Sequence, residues 1–331
     1  MTSNGVHKSH VPPSGVWCPA VTLFDKSADT LDLPNQKKYF KYLSETGLAG
    51  LVILGTNAEA FLVTREERHQ LIAAAREAVG PSFPLMAGVG AHSTRQVLEN
   101  IDDAVRARAD YILVLPPAYF GKATTNAVIT KFFDDVAEYS PLPIVIYNFP
   151  GVCNGVDLDS DMITAIAKKH SNVVGVKLTC GSVAKITRLG AAFSPYKFAT
   201  FGGQSDFIIG GLSAGSSGCI AAFTNVFPKT IVKIYNLYQE GKFAEALKLH
   251  QQAALAENIT RQSIGATKYA AALTSAKLAD IEGAVEKMEP RRPYGAPPAA
   301  VKEAVEAAVR TLQEFESELE RIAILGIKSH C

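Results

Sequence analysis

The sequence predicts one closed barrel of eight parallel strands, each followed by a helix, with a helical extension at the C-terminal end. Three observations support this fold class. The chain has 331 residues, and a barrel of roughly 250 residues with an appendage would account for that length. Short apolar runs alternate eight times with longer amphipathic stretches. The remaining chain has the residue pattern of helices, so we expect no second catalytic domain.

The eight short runs are rich in Val, Ile, Leu and Ala, and most of them are continuously apolar rather than alternating. Parallel strands that are covered on both faces have this pattern. We therefore expect parallel strands, and eight of them fit a closed barrel better than an open doubly wound sheet. The predicted strands are residues 16–21, 48–54, 85–89, 111–115, 143–149, 173–178, 197–202 and 218–222.

Residues that favour the start of a helix lie between these predicted strands. Thr64 and Glu67 have the spacing of a capping box, in which a hydroxyl and a carboxylate satisfy free backbone N–H groups. Ser93 and Gln96 repeat this spacing. Strand and helix therefore alternate in the order of a (β/α)8 TIM barrel. The other helices predicted between strands are residues 34–46, 125–139, 160–170, 183–193 and 206–213.

The chain after the eighth strand is predicted to be almost wholly helical, over residues 228–258, 269–283 and 298–324. The last helix is rich in Glu and Arg and carries one apolar stripe, which favours packing on the barrel or on a neighbouring subunit over a ligand site. We divide the chain into a flexible N-terminus (1–14), the barrel (15–235) and a C-terminal helical region (236–331).

The composition indicates a globular protein that binds a small molecule. Hydrophobic residues make up 47% of the chain and charged residues 20%, which is ordinary for a protein with a buried core. The net charge is +1, so no strong field attracts nucleic acid or an anionic membrane. We expect a small molecule as the partner, with no nucleic acid and no membrane.

The expected location is cytoplasmic. The five cysteines form no CxxC pair and leave an odd one, which favours a reducing compartment. Residues 1–14 have neither the apolar core of a signal peptide nor the Arg-rich pattern of a mitochondrial presequence. No apolar stretch reaches the roughly 18 residues that a membrane span needs.

Three strand ends carry unusual residues, and functional residues of a parallel barrel lie at the carboxyl ends of its strands. Residues 55–59 form a glycine-led turn that could present N–H groups and a hydroxyl to a carboxylate. Tyr147 could move a proton. Lys177 follows a buried apolar run, and burial favours the neutral amine that attacks a carbonyl. Taken singly, residues 55–59 also fit an ordinary turn, Tyr147 a core tyrosine, and Lys177 a lysine at the point where a strand exits into solvent.

The three strand ends together are more specific than any one of them. They read Gly-Thr-Asn-Ala-Glu at residues 55–59, Tyr-Asn-Phe-Pro at 147–150 and Val-Gly-Val-Lys at 174–177. In this order they resemble the dihydrodipicolinate synthase and N-acetylneuraminate lyase superfamily, over about residues 16–258. The resemblance implies a TIM barrel that makes or breaks a carbon–carbon bond beside the carbonyl of a 2-keto acid.

The resemblance also implies roles for individual residues. Lys177 is similar to the imine-forming lysine of the family, and Tyr147 to its proton-relaying tyrosine. Thr56 and Asn57 occupy the positions that hold the substrate's carboxylate. Tyr119 lies where the family often has a tyrosine that is lent to a neighbouring subunit, which implies a homo-oligomer, a dimer or more usually a homotetramer.

Three further positions are predicted to bind substrate. Thr179 lies two residues beyond the lysine and could contact the variable half of the substrate, or could cap the following turn. Gly203 follows the seventh predicted strand, and Ile220 lies in the eighth.

Within the family, the sequence is most similar to the lyase-type members. True dihydrodipicolinate synthases carry an arginine shortly after the Tyr-Asn-x-Pro motif, whereas residues 151–155 here contain none. Asn57 resembles the 4-hydroxy-2-oxoglutarate aldolases and the fungal L-threo-3-deoxy-hexulosonate aldolases. We therefore expect an aldolase that releases pyruvate and an aldehyde, with L-threo-3-deoxy-hexulosonate the leading candidate substrate. Condensation of pyruvate with an aldehyde, as in the synthases, is the alternative.

Two other classes of function stay open. The histidines form no HxH or HExxH pattern, so we expect no metal. Gly88 and Gly90 follow a strand, but Ser93 replaces the third glycine of a dinucleotide-binding motif, so we expect no cofactor. A non-catalytic barrel that binds a keto acid is the alternative of another class, because fold alone does not establish function.

Overall fold

The computed structural model describes residues 10–324. Eight parallel strands close into a barrel in the order β1-β10-β9-β8-β7-β6-β5-β4, which confirms the predicted fold class. In chain order the strands are β1 (Gly15–Pro19), β2 (Phe24–Asp25), β3 (Thr30–Leu31), β4 (Gly50–Ile53), β5 (Leu85–Gly88), β6 (Tyr111–Val114), β7 (Ile144–Asn148), β8 (Val173–Leu178), β9 (Ala199–Gly202) and β10 (Gly218–Ile220).

Helices surround the barrel and follow each of its strands, as the alternation of patterns predicts. A further set of helices comes after the last strand. The helices are α1 (Leu33–Ser44), α2 (Arg65–Val79), α3 (Thr94–Arg106), α4 (Asn126–Tyr139), α5 (Ser160–Lys169), α6 (Val183–Ala192), α7 (Ile208–Ser213), α8 (Pro228–Gln239), α9 (Phe243–Thr260), α10 (Ile264–Leu273), α11 (Ser275–Leu278), α12 (Ala284–Lys287) and α13 (Ala299–Ile324).

The inside of the barrel is a packed core. The indole of Trp17 lies edge-on to the rings of Tyr111 and Phe201, with 6.2 Å between ring centroids in both pairs. Gly50 faces this indole, and a Cβ at Gly50 would lie 2.3 Å from an atom of the Trp17 ring. Side chains therefore fill the barrel below its mouth and leave the carboxyl ends of the strands for ligand binding.

The predicted helix starts are present. Thr64 Oγ1 accepts a hydrogen bond from Glu67 N–H (3.2 Å), and Glu67 Oε2 accepts one from Thr64 N–H (2.8 Å). This reciprocal pair is the capping box of α2. Ser93 Oγ accepts from Gln96 N–H (3.2 Å) and caps α3.

The structure divides or adds elements in three places relative to the predicted pattern. The stretch 269–283, predicted as one helix, contains the end of α10, all of α11 and no helix after Leu278. The stretch 228–258 is two helices, α8 and α9, because the chain turns between them at Gly241, whose φ is 77°. A left-handed residue of this kind ends a helix. The antiparallel pair β2 and β3 was not predicted, because strands of two residues are too short to show a hydrophobic periodicity.

The last helix, α13, packs its apolar stripe against the other C-terminal helices. Val305, Val309 and Leu312 are buried, and α13 contacts α8, α9 and α10. No helix within residues 10–324 is long and apolar enough to cross a membrane. The domain boundaries stay a prediction, and the one drawn at residue 235 falls within α8.

Candidate active site

Lys177 and Tyr147 lie side by side at the carboxyl end of the barrel. The two residues are opposite each other in the parallel register of β7 and β8. Both are buried, with 2% of Lys177 and 3% of Tyr147 exposed. Lys177 Nζ lies 4.2 Å from the centroid of the Tyr147 ring. Adjacent strands thus bring an amine and a phenol together in a setting that is almost shielded from bulk water.

Thr56 joins this pair from the turn after β4. Its Oγ1 lies 3.4 Å from the Tyr147 hydroxyl oxygen, within hydrogen-bond distance. The turn begins at Leu54, whose φ of 65° is unusual for a residue with a side chain. Gly88 on β5 makes room for it, because a Cβ there would lie 2.1 Å from the Leu54 carbonyl oxygen. The position of Thr56 therefore depends on a glycine of the neighbouring strand.

Thr179 and Gly203 form a close contact beside the lysine. A Cβ at Gly203 would lie 2.0 Å from Thr179 Oγ1, so the backbone can approach only because residue 203 is glycine. Thr179 Oγ1 is buried and has no hydrogen-bond partner in the described structure. A buried hydroxyl without a partner is uncommon, and here it is available to a bound ligand.

The cavity between these residues has a volume of about 460 Å³. That size suits a small ligand. Six of the predicted site residues line it: Thr56, Asn57, Tyr147, Lys177, Thr179 and Gly203.

Two predicted site residues lie elsewhere. Ile220 is fully buried in the barrel core, and Ala222 lines the cavity in its place. Tyr119 is 73% exposed and contacts the rings of His92 and Phe120 at the surface. Within a single chain, neither side chain lines the cavity that contains Lys177.

Two other motif residues, Glu59 and Asn148, support the site without lining the cavity that contains Lys177. Glu59 ends the turn after β4, and its Oε1 lies 2.6 Å from the Nζ of the buried Lys268. Its Oε2 accepts a hydrogen bond from Arg291 N–H (2.7 Å). Asn148, next to Tyr147, donates to Asp157 Oδ1 (2.7 Å). These contacts tie both motif loops to later parts of the chain.

One wall of the cavity was not predicted from the sequence. Glu257, Asn258 and Arg261 line it from the C-terminal end of α9, together with Gln262. The predicted site residues come from strand ends, whereas this helix follows the barrel. The only signal was the run of polar residues at the end of a helix that is otherwise rich in alanine.

Glu257 is the buried acid of that wall, with 2% of its surface exposed. Its Oε1 accepts a hydrogen bond from Ser205 N–H (3.1 Å), and its Oε2 accepts one from Ser205 Oγ (2.5 Å). Burial raises the pKa of Glu257 to about 7, although the hydrogen bonds from Ser205 oppose the shift. The carboxyl can therefore hold or release a proton near neutral pH.

A second, larger cavity of about 670 Å³ adjoins the first and shares Thr56 with it. Its lining includes neither Lys177 nor Tyr147 and is mostly apolar. It therefore suits a charged keto acid less well. No group of three or more His, Cys, Asp or Glu residues in the described part of the chain is arranged to hold a metal ion.

Comparison with known proteins identifies a family that shares this architecture. The model of the Dihydrodipicolinate synthetase family matches residues 12–312. A protein of Coccidioides immitis (strain RS), provisionally named as a mitochondrial 4-hydroxy-2-oxoglutarate aldolase, is 66% identical over 309 residues, which cover 93% of this chain and 98% of the relative. An L-threo-3-deoxy-hexylosonate aldolase of Hypocrea jecorina is 36% identical over 318 residues, with 93% and 98% covered.

Solved structures have the same fold over nearly the whole chain. A Coccidioides immitis protein, provisionally assigned to the dihydrodipicolinate synthase family, matches with a TM-score of 0.89 and 64% identity over 94% of this chain and 99% of that chain. The prophage protein YagE of E. coli K12, solved in complex with pyruvate, matches with a TM-score of 0.81 and 26% identity over 90% of this chain and 98% of that chain.

Proposed function

The chain belongs to the dihydrodipicolinate synthetase family, and from that premise we propose that it is a Schiff-base aldolase, a carbon–carbon lyase that releases pyruvate and an aldehyde. Its substrate is a 2-keto-3-deoxy sugar acid or a 4-hydroxy-2-oxo acid, the two classes named for its relatives. The family resemblance inferred from three motifs is confirmed. The observation that carries the proposal is the pairing of Lys177 with Tyr147 in one cavity.

Lys177 forms the covalent intermediate in this mechanism. Its neutral amine attacks the C2 carbonyl of the keto acid, and loss of water leaves an iminium ion. When the bond between C3 and C4 breaks, its electron pair moves into the iminium, C4 becomes the aldehyde carbon and an enamine remains. Protonation at C3 and hydrolysis then release pyruvate and regenerate the lysine. The reaction consumes no oxidant or reductant.

Tyr147 relays the protons of these steps. The centroid of its ring lies 4.2 Å from Lys177 Nζ and its hydroxyl 3.4 Å from Thr56 Oγ1, so one phenol can serve both the carbinolamine and the C4 hydroxyl of a bound substrate. Thr56 and Asn57 hold the C1 carboxylate through their side chains and the amides of the turn. Fixing the carboxylate orients C2 toward Lys177.

Synthase-type condensation is less well supported. It needs a cation for the carboxylate of the aldehyde substrate, and residues 151–155 supply none. Arg261 lines the cavity, but its Nη1 already lies 2.6 Å from Asp206 Oδ2. A barrel that only binds a keto acid would not need a buried phenol within reach of a buried amine.

The enzyme is proposed to act as a homo-oligomer, a dimer or a homotetramer. Tyr119, Phe120 and Phe61 are 73%, 76% and 57% exposed and lie together around His92. An exposed aromatic group of this kind is typical of a protein interface. Contact between subunits here would let Tyr119 enter the site of a neighbour, a role that it does not have within one chain.

The expected cytoplasmic location is wrong. The name of the relative that is 66% identical assigns that protein to mitochondria, as does the name of a second relative from Emericella nidulans. We infer a mitochondrial location for this chain on the same grounds. The expectation relied on the lack of a recognisable targeting pattern in residues 1–14, and a missing pattern is weak support for a compartment.

Reductive trapping tests the proposed function directly. The protein is incubated with pyruvate and borohydride, digested, and searched for added mass, because reduction makes an imine permanent. We expect the mass on Lys177 and not on Lys268, a lysine that is equally buried but ion-paired. Lys177→Met should abolish labelling and aldol cleavage, while the control Lys229→Met should keep both. A folded wild-type protein without label on Lys177 would remove the mechanism.

A further inference from the structure

The polar end of α9 faces the same cavity as the proposed imine-forming lysine. Arg261, the residue that follows α9, comes four positions after Glu257 and three after Asn258, and all three side chains line the cavity. Pyruvate occupies only the part of a longer keto acid that carries C1 to C3. The α9 wall is therefore available to the distal part of the substrate, beyond the bond that breaks.

Glu257 has a fixed position and spare acceptor capacity. Ser205 supplies one hydrogen bond to each of its carboxyl oxygens, and each such oxygen can accept two. The carbonyl of Ser205 is held in turn by His250 Nε2 at 2.9 Å. The carboxyl group therefore presents a preorganised acceptor to the cavity and need not reorganise when a ligand binds.

Arg261 does not provide a free positive charge. Its guanidinium is paired with Asp206 Oδ2 at 2.6 Å. When Lys177 condenses with substrate, its positive charge becomes that of the iminium at C2, which lies next to the C1 carboxylate and away from the distal end. These two are the cationic residues among the described residues that line the cavity. A second substrate carboxylate would thus meet the carboxyl of Glu257 without a free cation to offset the repulsion.

Thr179 adds a second group that suits hydroxyls. Its Oγ1 is buried without a partner two residues beyond the lysine. A hydroxyl can both donate and accept, so it complements a hydroxyl of a substrate. The cavity therefore has the composition expected for a polyhydroxylated chain.

We propose that Glu257 is a specificity-determining residue, which accepts hydrogen bonds from hydroxyls on the distal half of the substrate and disfavours a distal carboxylate. The enzyme then prefers a 2-keto-3-deoxy sugar acid over 4-hydroxy-2-oxoglutarate. This inference rests on the proposed aldolase function and narrows its substrate class.

The test compares kcat/KM for cleavage of L-threo-3-deoxy-hexulosonate and of 4-hydroxy-2-oxoglutarate in the wild type and in Glu257→Gln, at a pH well above 7, where Glu257 is ionised. We expect the wild type to prefer the sugar acid. In the variant, kcat/KM for the sugar acid should fall about tenfold to a hundredfold, because hydrogen bonds to a charged acceptor are lost. For 4-hydroxy-2-oxoglutarate, kcat/KM should rise in the variant, because the negative charge that repels its second carboxylate is gone.

Glu316→Gln is the matched control. Glu316 is also 2% exposed, is held by the hydroxyl and N–H of Thr230, and has a pKa raised to about 7 by burial. It lies on α13 and does not line the cavity. The change should leave kcat/KM unaltered for both substrates.

Several results would overturn the inference. Glu257→Gln could lower both activities by the same factor, which would indicate a structural role, or could change neither. A wild type that prefers the dicarboxylate would also contradict it. Borohydride trapping with pyruvate separates these results from failure of the aldolase proposal. If Lys177 is labelled, the aldolase mechanism stands and only the role of Glu257 is contradicted. If the wild type is not labelled, both the aldolase mechanism and the role of Glu257 are contradicted.

Discussion

At the scale of single residues, the contact between Gly203 and Thr179 limits what the cavity wall can accommodate. Gly203→Ala places a Cβ 2.0 Å from Thr179 Oγ1 and 2.5 Å from Thr179 Cα. Because the second atom is backbone, a rotamer change cannot relieve the clash. We expect a loss of about 1–3 kcal/mol in the free energy of unfolding and reduced turnover, since Thr179 is close to Lys177. Thermal unfolding and steady-state kinetics measure the two effects.

Gly210→Ala serves as the control for this substitution. Gly210 lies in α7, and a Cβ there would have Val183 Cγ2 as its nearest neighbour at 3.8 Å, an ordinary contact. Its stability should be unchanged or should rise by up to about 1 kcal/mol. Normal stability and turnover in Gly203→Ala would show that the wall can shift.

Glu316 makes the stability of the protein depend on pH. Burial raises its pKa from 4.5 to about 7, so the folded state holds this proton more tightly than the unfolded state. The stabilisation by the protonated form is complete below about pH 4.5 and is lost as the pH rises through about 7. A shift of this size corresponds to about 3 kcal/mol.

Glu316→Gln removes this titration. The free energy of unfolding of the variant, relative to the wild type, should therefore rise between about pH 5 and pH 8, by up to about 3 kcal/mol. Urea unfolding at several pH values measures the difference. Glu318→Gln, at an exposed position of the same helix, should show no such trend. A constant difference between Glu316→Gln and the wild type would contradict the assigned pKa.

At the scale of secondary-structure elements, one buried ion pair joins α10 to the turn after β4. Lys268 Nζ lies 2.6 Å from Glu59 Oε1, with 0% and 1% of the two side chains exposed. The turn also carries Thr56, so α10 supports the site from behind. Breaking a buried pair leaves one charge without compensation, which costs far more than losing an exposed pair.

Lys268→Met should lower the free energy of unfolding by about 3–5 kcal/mol and reduce kcat/KM through displacement of Thr56. The double variant Glu59→Gln/Lys268→Met should recover part of the stability, because the unpaired carboxylate is gone. Lys41→Met is the control: its ion pair with Glu45 is exposed, and the change should cost less than about 1 kcal/mol. Equal losses in Lys268→Met and Lys41→Met would show that burial of the pair has little effect.

At the scale of the whole molecule, the proposed exchange of Tyr119 can be tested by complementation. Tyr119→Phe and Lys177→Met should each have low activity alone. When they are coexpressed, one subunit supplies the lysine and the other the tyrosine, so a mixed oligomer should regain activity. Steady-state assays on the isolated mixed oligomer, with its mass measured by light scattering, provide the readout.

Coexpression of Lys177→Met with Tyr147→Phe is the matched control. Tyr147 and Lys177 come from adjacent strands of one chain. No arrangement of these two variants can therefore form a site with an intact lysine and an intact tyrosine. Activity in this control would invalidate the experiment. A monomeric wild type, or an inactive mixed oligomer of Tyr119→Phe and Lys177→Met, would show that Tyr119 is not exchanged.

The order of strands and helices and six residues of the cavity could be predicted from the sequence, because the signals are local. Continuous apolar runs mark strands that are covered on both faces, and residues at their carboxyl ends converge once the barrel closes. Lys177 and Tyr147 were found in this way. The periodicity of 228–258 concealed the turn at Gly241, since an amphipathic pattern can continue across a short break.

Contacts between distant parts of the chain were decided by the tertiary structure alone. Glu257 meets Ser205 across 52 positions, and Lys268 meets Glu59 across 209. Hydrophobic periodicity reports the face that a helix buries, not the loop that it meets, so the polar end of α9 did not by itself indicate that it lines the cavity. The chemistry at the lysine follows from local sequence, whereas the proposed selectivity for the distal half of the substrate depends on packing between elements that are remote in the chain.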